Sequence, residues 1–265
     1  MGLPLNDKWR RAMMRPDCIM GVTADNGGSW LSPIREDGAQ PTTLPATAGQ
    51  PWAIGSGMLT PFGGMVIDNG FEFPGGDENV VCGTALDFRG YKGSFTFVCD
   101  FEVDREPDEI THMWFVSLMG QGYPPAGSAT CTPASMYFRK KTDAKRWEFF
   151  AYINDGTASP GISANMDGAF TFGVRHTGAF VRDAAALKMY LYFDGEKVAE
   201  SNPKDPTPIG NDLVSDVPAS YYPERGVCVG AGRVGANTRY ESDYRVFNAA
   251  VFNRALSAEE IADFS

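Results

Sequence analysis

The chain has 265 residues, 43% of them hydrophobic and 12% aromatic, with a formal net charge of -10 and a sequence pI of about 4.7. A phosphate backbone needs a basic face, and the basic pairs Arg10-Arg11 and Lys140-Lys141 stand isolated, so nucleic acid is excluded as a partner. No stretch reaches the roughly 18 apolar residues of a membrane-spanning helix, and the length suits one all-β domain of roughly 200–250 residues plus an extension.

The first residues, "MGLPLNDKWRRAMMRPDCIM", hold no apolar run of the roughly 7–15 residues that a secretory signal needs. Synthesis in a cytoplasm is therefore the expectation. Met1-Gly2 is followed by Asn6 rather than Ser or Thr, so myristoylation is not expected. Residues 6–15 predict a short helix, capped by Asn6 and stopped by Pro16. Pro33, Pro41, Pro45, Pro51 and Pro61 then predict extended, irregular chain. Residues 1–65 read as an N-terminal arm or docking segment, with Trp30 and Trp52 packing on something.

From residue 66 strands dominate. In "SFTFVCDFEVD", Phe95, Phe97, Cys99, Phe101 and Val103 share one face, and Thr96, Asp100, Glu102 and Asp104 the other. Period two predicts a half-buried strand. "LKMYLYFDG" repeats the pattern, with Leu187, Met189, Leu191 and Phe193 inward and Tyr190 and Tyr192 outward. "MWFVSLMG", "SMYFRKK", "RWEFFAYINDG" and "AFTFGVRHT" predict further strands, and "DG" at 155–156 and 194–195 predicts hairpin turns. Residues 120–135 and 200–226 read as long loops, a length that is often functional. At the end, Ser257 and Glu260 form a capping box for a short helix, with Leu256 and Ile261 as its hydrophobic staple.

Chemistry-bearing motifs are few. Gly230, Gly232 and Gly235 make a GxGxxG after a strand, but no helix pattern follows, so the glycines read as a turn and not a dinucleotide site. Cys18, Cys82, Cys99, Cys131 and Cys228 are odd in number with no CxxC spacing, which argues against a disulfide framework. His112 and His176 have no visible catalytic partner. Acidic turns at Asp25-Asn26, Asp68-Asn69, Asp77-Glu78-Asn79 and Glu241–Asp243 offer the oxygen ligands that calcium takes, and as turns they are also ordinary.

"FEVDRE" sets Glu102, Asp104 and Glu106 at period two. It is similar to the E-x-D-x-E strand of family-sixteen glycoside hydrolases, which implies nucleophile, assisting aspartate and acid/base. Retaining chemistry wants two carboxyls roughly 5–5.5 Å apart, and i, i+4 positions on a strand are far wider. Arg105 departs from the apolar residue of that family, and Pro107 ends the strand. A solvated strand end is the expectation, not catalysis.

"GFEFPGGDENVV", "SFTFVCDFEV", "LKMYLYFDGEKVAES", "VCVGAG" and "DYRVFNAAVFNRALSAEEIADF" together resemble the laminin-G-like members of the concanavalin A-like lectin/glucanase superfamily, over residues 66–265. The resemblance implies an all-β, two-sheet antiparallel jelly-roll sandwich with a short C-terminal helix. It implies a structural calcium where early and late strands meet, with Asp77, Glu78 and Asp243 as the nearest ligands. Relatives include glycan-binding modules, adhesion domains and phage or cell-surface structural proteins. One fold hosts many functions.

The expectation is a non-catalytic module recognising a glycan or a protein surface. A particle-attached phage or virion protein docked through the arm is a related expectation. A purely structural assembly protein and a glycan hydrolase are the alternatives. An outward row of Tyr137, Arg175, Tyr190 and Tyr192 would stack on sugar rings and donate to hydroxyls, and Tyr221 and Tyr222 offer a second site. The competing expectation is that these rings pack beneath a loop, since large aromatics are buried on average.

Overall fold

The computed structural model describes residues 5–23, 29–31, 43–47, 50–53, 60–61, 71–73, 81–83, 92–104, 112–119, 134–141, 146–153, 161–202, 226–229, 232–234, 237–239 and 244–265. The elements begin with α1 (Leu5–Met13), β1 (Cys18–Thr23), β2 (Ser29–Leu31), β3 (Thr43–Thr47), β4 (Gln50–Ala53), β5 (Thr60–Pro61), β6 (Phe71–Phe73) and β7 (Val81–Gly83). Longer strands follow: β8 (Phe95–Val103), β9 (His112–Met119), β10 (Ala134–Lys141), β11 (Arg146–Ile153), β12 (Gly161–Asn165), β13 (Arg175–Asp183), β14 (Lys188–Phe193) and β15 (Glu196–Glu200). The chain closes with β16 (Gly226–Val229), β17 (Gly232–Val234), β18 (Asn237–Arg239), β19 (Tyr244–Phe252) and α2 (Ala258–Ala262).

Two antiparallel sheets form a sandwich. One runs β15-β14-β13-β8-β19-β1-β2, with β6 also paired to β19; the other runs β12-β11-β10-β9-β16-β7-β5. The expected all-β sandwich with a short C-terminal helix is therefore the observed fold. Gly232 opens β17, and the next described element is β18, its antiparallel partner; Gly230 and Gly235 lie outside the described residues.

Period-two alternation builds the interior. Phe95, Phe97, Cys99, Phe101 and Val103 of β8 share one buried cluster with Phe115, Phe138 and Phe149 of the seven-stranded sheet. Phe101 stacks on Phe115 across the sheets, ring centroids 3.8 Å apart. Each such side chain contributes on the order of 1.5–3 kcal/mol by leaving water. Gly178 makes room for this layer, since a Cβ there would lie 2.8 Å from Phe149 Cζ.

β8 was expected to be half-buried, and the structure corrects this: eight of its nine residues are buried. Its outer face is covered as well. Trp9 and Met13 of α1, with Leu256, Ile261 and Phe264 around α2, bury Val98, Ala179, Val181, Ala250 and Phe252. Within the segment 1–65 expected as an arm, α1 and β1 thus pack into the sandwich itself. β1 pairs with β19 from Cys18↔Phe252 to Thr23↔Asn248.

The ends of the described chain are tied by charge. Arg15 donates to Asp17 and Glu260, and Arg254 donates to the same two carboxylates. The capping box stands as predicted, with Glu260 N donating to Ser257 Oγ at 3.3 Å and Ser257 N donating to Glu260 Oε2 at 3.0 Å. The predicted turn between β14 and β15 has Asp194 at φ 48° and Gly195 at φ 81°. Positive φ at both central residues is what a type I′ hairpin demands.

Candidate ligand-binding site

The outer face of the seven-stranded sheet carries an aromatic and ionic cluster. Alternation along β10 and β11 sends Met136, Phe138, Trp147, Phe149, Ala151 and Ile153 to the core, and Tyr137, Phe150 and Tyr152 form a separate cluster. Register sets Tyr137 opposite Phe150 and Arg139 opposite Glu148. The ring centroids of Tyr137 and Phe150 lie 5.1 Å apart, and those of Phe150 and Tyr152 6.2 Å apart.

Arg139 is held over these rings. Its guanidinium carbon sits 4.6 Å from the Phe150 ring centre and 5.8 Å from that of Tyr137. Glu148 fixes it by accepting from Nε at 2.9 Å and Nη2 at 2.7 Å on Oε2. Glu148 is 7% exposed and Arg139 25% exposed, so the guanidinium is the part of this pair that meets solvent. Phe150 is half-buried, and its ring lies over β12, where a Cβ at Gly161 would come within 2.4 Å of Phe150 Cζ. Burial pushes the Tyr137 hydroxyl up to about 12, with Arg139 opposing and Glu148 reinforcing the shift. Tyr137 therefore stays a neutral hydroxyl at every ordinary pH.

An apolar ring beside an oriented guanidinium and a carboxylate is chemically two-sided. The ring takes C–H surface, and the ion pair exchanges hydrogen bonds with hydroxyls. Among the expected site residues, Tyr137 belongs to this cluster. Phe150, Tyr152, Arg139 and Glu148 were missed. The signal for Glu148, Phe150 and Tyr152 was present in "RWEFFAYI", where they alternate with the core residues, and that for Arg139 in "SMYFRKK", two residues after Tyr137.

The expected row of four is corrected by the sheet order. Arg175, Tyr190 and Tyr192 lie on β13 and β14 of the other sheet, so they share no face with Tyr137. Tyr192 is 7% exposed within the cluster that holds Trp9 of α1 and Ile261 of α2, with Tyr190 packed against it. Arg175 is four residues along β13 from Ala179, the register partner of Tyr192, or about 13 Å. Tyr221, Tyr222, Asp77, Glu78, Asp243 and Glu106 lie outside the described residues. Among the described residues no group of three or more His, Cys, Asp or Glu could hold a metal ion.

Arg175 instead anchors a polar cluster on the outer face of the eight-stranded sheet. It donates from Nε to Asp100 Oδ1 at 2.6 Å and from Nη2 to Oδ2, while Asn248 Nδ2 donates to Oδ2 at 2.9 Å. Its guanidinium carbon lies 4.1 Å from the Phe247 ring centre. Next to it, Glu102 and Asp104 share Arg245, which donates to Glu102 Oε1 at 3.3 Å and to Asp104 Oδ1 at 2.5 Å. Two of the three carboxylates of the hydrolase-like motif are thus engaged by one guanidinium.

His176 locks the neighbouring turn. Nδ1 faces Asp194 Oδ2 at 2.7 Å and Nε2 faces the Thr171 carbonyl at 3.1 Å, so both nitrogens meet acceptors. Burial alone would lower its pKa, but the Asp194 carboxylate, the Thr171 carbonyl and the field of Glu102 raise it overall. A pKa raised by folding stabilises the fold fully below the unfolded value of about 6.5. That contribution disappears as pH rises through the folded-state value. Denaturation midpoints are expected to fall over this window, and a His176→Gln variant should lack this part of the slope. An unchanged slope in the variant would remove His176 as the source.

No family model matches the chain, and no curated protein matches it. Among solved structures it is similar to the carbohydrate-binding module CBM40 of the Ruminococcus gnavus IT-sialidase bound to α2,3-sialyllactose, with TM-score 0.51, 15% identity, and coverage of 75% of this chain and 98% of that one. It is also similar to the botulinum neurotoxin serotype D binding domain, with TM-score 0.54, 11% identity, and coverage of 96% of this chain and 51% of that one. The NanB sialidase of Streptococcus pneumoniae aligns at TM-score 0.47 and 18% identity over 64% of this chain, which spans 23% of that chain. At these identities the likeness shows the fold alone: a two-sheet β-sandwich.

Proposed function

We propose that the chain is a non-catalytic glycan-binding module whose ligand face is the outer face of the seven-stranded sheet. The observation that carries this reading is the Arg139 guanidinium stacked on Phe150 and Tyr137 and oriented by Glu148. Phe150 and Arg139 are the contact groups, because Tyr137 and Tyr152 are only 5% and 6% exposed and act as their support. The fold-level likeness to a module solved with α2,3-sialyllactose supports the class of ligand. A hydrolase reading is not favoured, since Glu102 and Asp104 are both occupied by Arg245. No described feature favours a particle-attached role.

A glycan array probed with and without calcium, followed by calorimetry on any hit, tests this. Phe150→Ala and Arg139→Ala are each expected to weaken binding by about tenfold or more, the loss of about 1.4 kcal/mol or more typical of a contact that matters. Binding that survives both changes places the site elsewhere. An array with no hit in either condition counts against the module itself.

A further inference from the structure

The register of the seven-stranded sheet brings two cysteines together that stand far apart in the sequence. Cys82 of β7 lies directly opposite Cys228 of β16, and the flanking pairs Val229↔Val81 and Val227↔Gly83 keep the same register, so no bulge separates them. Residues directly opposite in an antiparallel ladder have Cα atoms about 4.5 or 5.5 Å apart. A disulfide needs roughly 4.4–6.8 Å. Either kind of pair meets that requirement.

The same row continues across the sheet. Cys228 is opposite Ser117, Ser117 opposite Ser135, Ser135 opposite Tyr152, and Tyr152 opposite Gly161. Ser117 and Ser135 place their hydroxyls 3.1 Å apart, as partners on one face must. The cysteine pair therefore stands in the row that includes Tyr152 of the aromatic cluster. The other described cysteines cannot compete. Cys18 and Cys99 are 1% and 0% exposed, and burial with the Asp100 charge pushes the Cys99 thiol well up, against Arg175, so it stays protonated and unreactive.

We propose that Cys82 and Cys228 form a cross-strand disulfide that joins β7 to β16. The oxidant is a small-molecule disulfide. One cysteine thiolate attacks it, forming a mixed disulfide and releasing one small thiolate. The second cysteine thiolate attacks the protein sulfur of that intermediate, closing the Cys82–Cys228 bond and releasing the second. The protein dithiol loses two electrons, the small disulfide gains them, and the two protons end on the released thiols. This inference rests on strand register alone and not on the ligand reading.

The test uses the full chain. The folded protein is equilibrated with oxidised glutathione, free thiols are alkylated after unfolding, and the digest is mapped by mass. The expected result is a loss of two alkylatable thiols per chain, a mass lower by two hydrogens, and one linked peptide joining Cys82 to Cys228. Cys18 and Cys99 should remain alkylatable. The denaturation midpoint should shift upward on oxidation, because the link closes a long loop in the unfolded chain. Cys82→Ser and Cys228→Ser should each abolish the two-hydrogen loss and the shift. Both thiols remaining free, glutathione retained separately on each, or a link to Cys131 instead would overturn the proposal.

Discussion

Asp100→Ala is expected to lower the unfolding free energy by about 3–5 kcal/mol, the cost of breaking a buried ion pair from one side. Asp100 is 1% exposed and holds Arg175 by two hydrogen bonds and Asn248 by a third. Without the carboxylate, the guanidinium stays against Phe247 with both of these hydrogen bonds lost. The three partners sit on β13, β8 and β19, the central strands of the eight-stranded sheet, so the damage falls where the sheet is most tightly paired. The neighbouring change Glu102→Gln gives the contrast. Its partner Arg245 is 33% exposed and keeps Asp104, so a cost within about 1 kcal/mol is expected. Urea titrations of both variants measure this directly. Equal effects would show that burial does not set the difference.

Trp9→Ala is the second large effect, expected at about 3–5 kcal/mol for removing a fully buried large aromatic. The indole is 0% exposed and packs on Phe264 with ring centroids 4.7 Å apart. An arm that only docks on an outside partner would predict no loss of stability for this change. The packing of α1 predicts that the loss equals that of a core residue and appears in the isolated chain. A denaturation midpoint matching wild type would detach α1 from the fold. Arg15→Ala should cost less, because its pairs with Asp17 and Glu260 are about one-third to one-sixth exposed.

These two residues also explain what kind of site the sandwich can offer. α1 and α2 cover part of the outer face of the eight-stranded sheet, and the Asp100 and Arg245 clusters lie further along the same strands β8, β13 and β19. The carboxylates there are already engaged by Arg175 and Arg245. On the opposite sheet, the Arg139 guanidinium is oriented by Glu148 yet reaches solvent, and Phe150 stays half-buried. A preoriented donor beside an apolar ring is the arrangement from which a ligand gains most, because little ordering remains to be done on binding.

Local signals were legible in the sequence because their causes are local. Side-chain alternation sorted Phe95, Phe97, Cys99, Phe101 and Val103 to the interior, as the core cluster shows. Asp194-Gly195 marked a hairpin because few residue pairs accept positive φ twice. Ser257 and Glu260 marked the start of α2 because the capping box closes within four residues. Alternation, however, yields parity and not partners. It told that Tyr137, Tyr190 and Tyr192 point away from their own strands' core faces, but not that they belong to opposite sheets. The Arg175–Asp100 pair spans 75 positions, and Trp9 meets Phe264 from the far end of the chain. The pairing of Cys82 with Cys228 likewise depends on which strands lie side by side. Those neighbours are chosen by how two sheets and two helices jointly remove apolar surface from water, a condition on the whole chain that no short stretch of it contains.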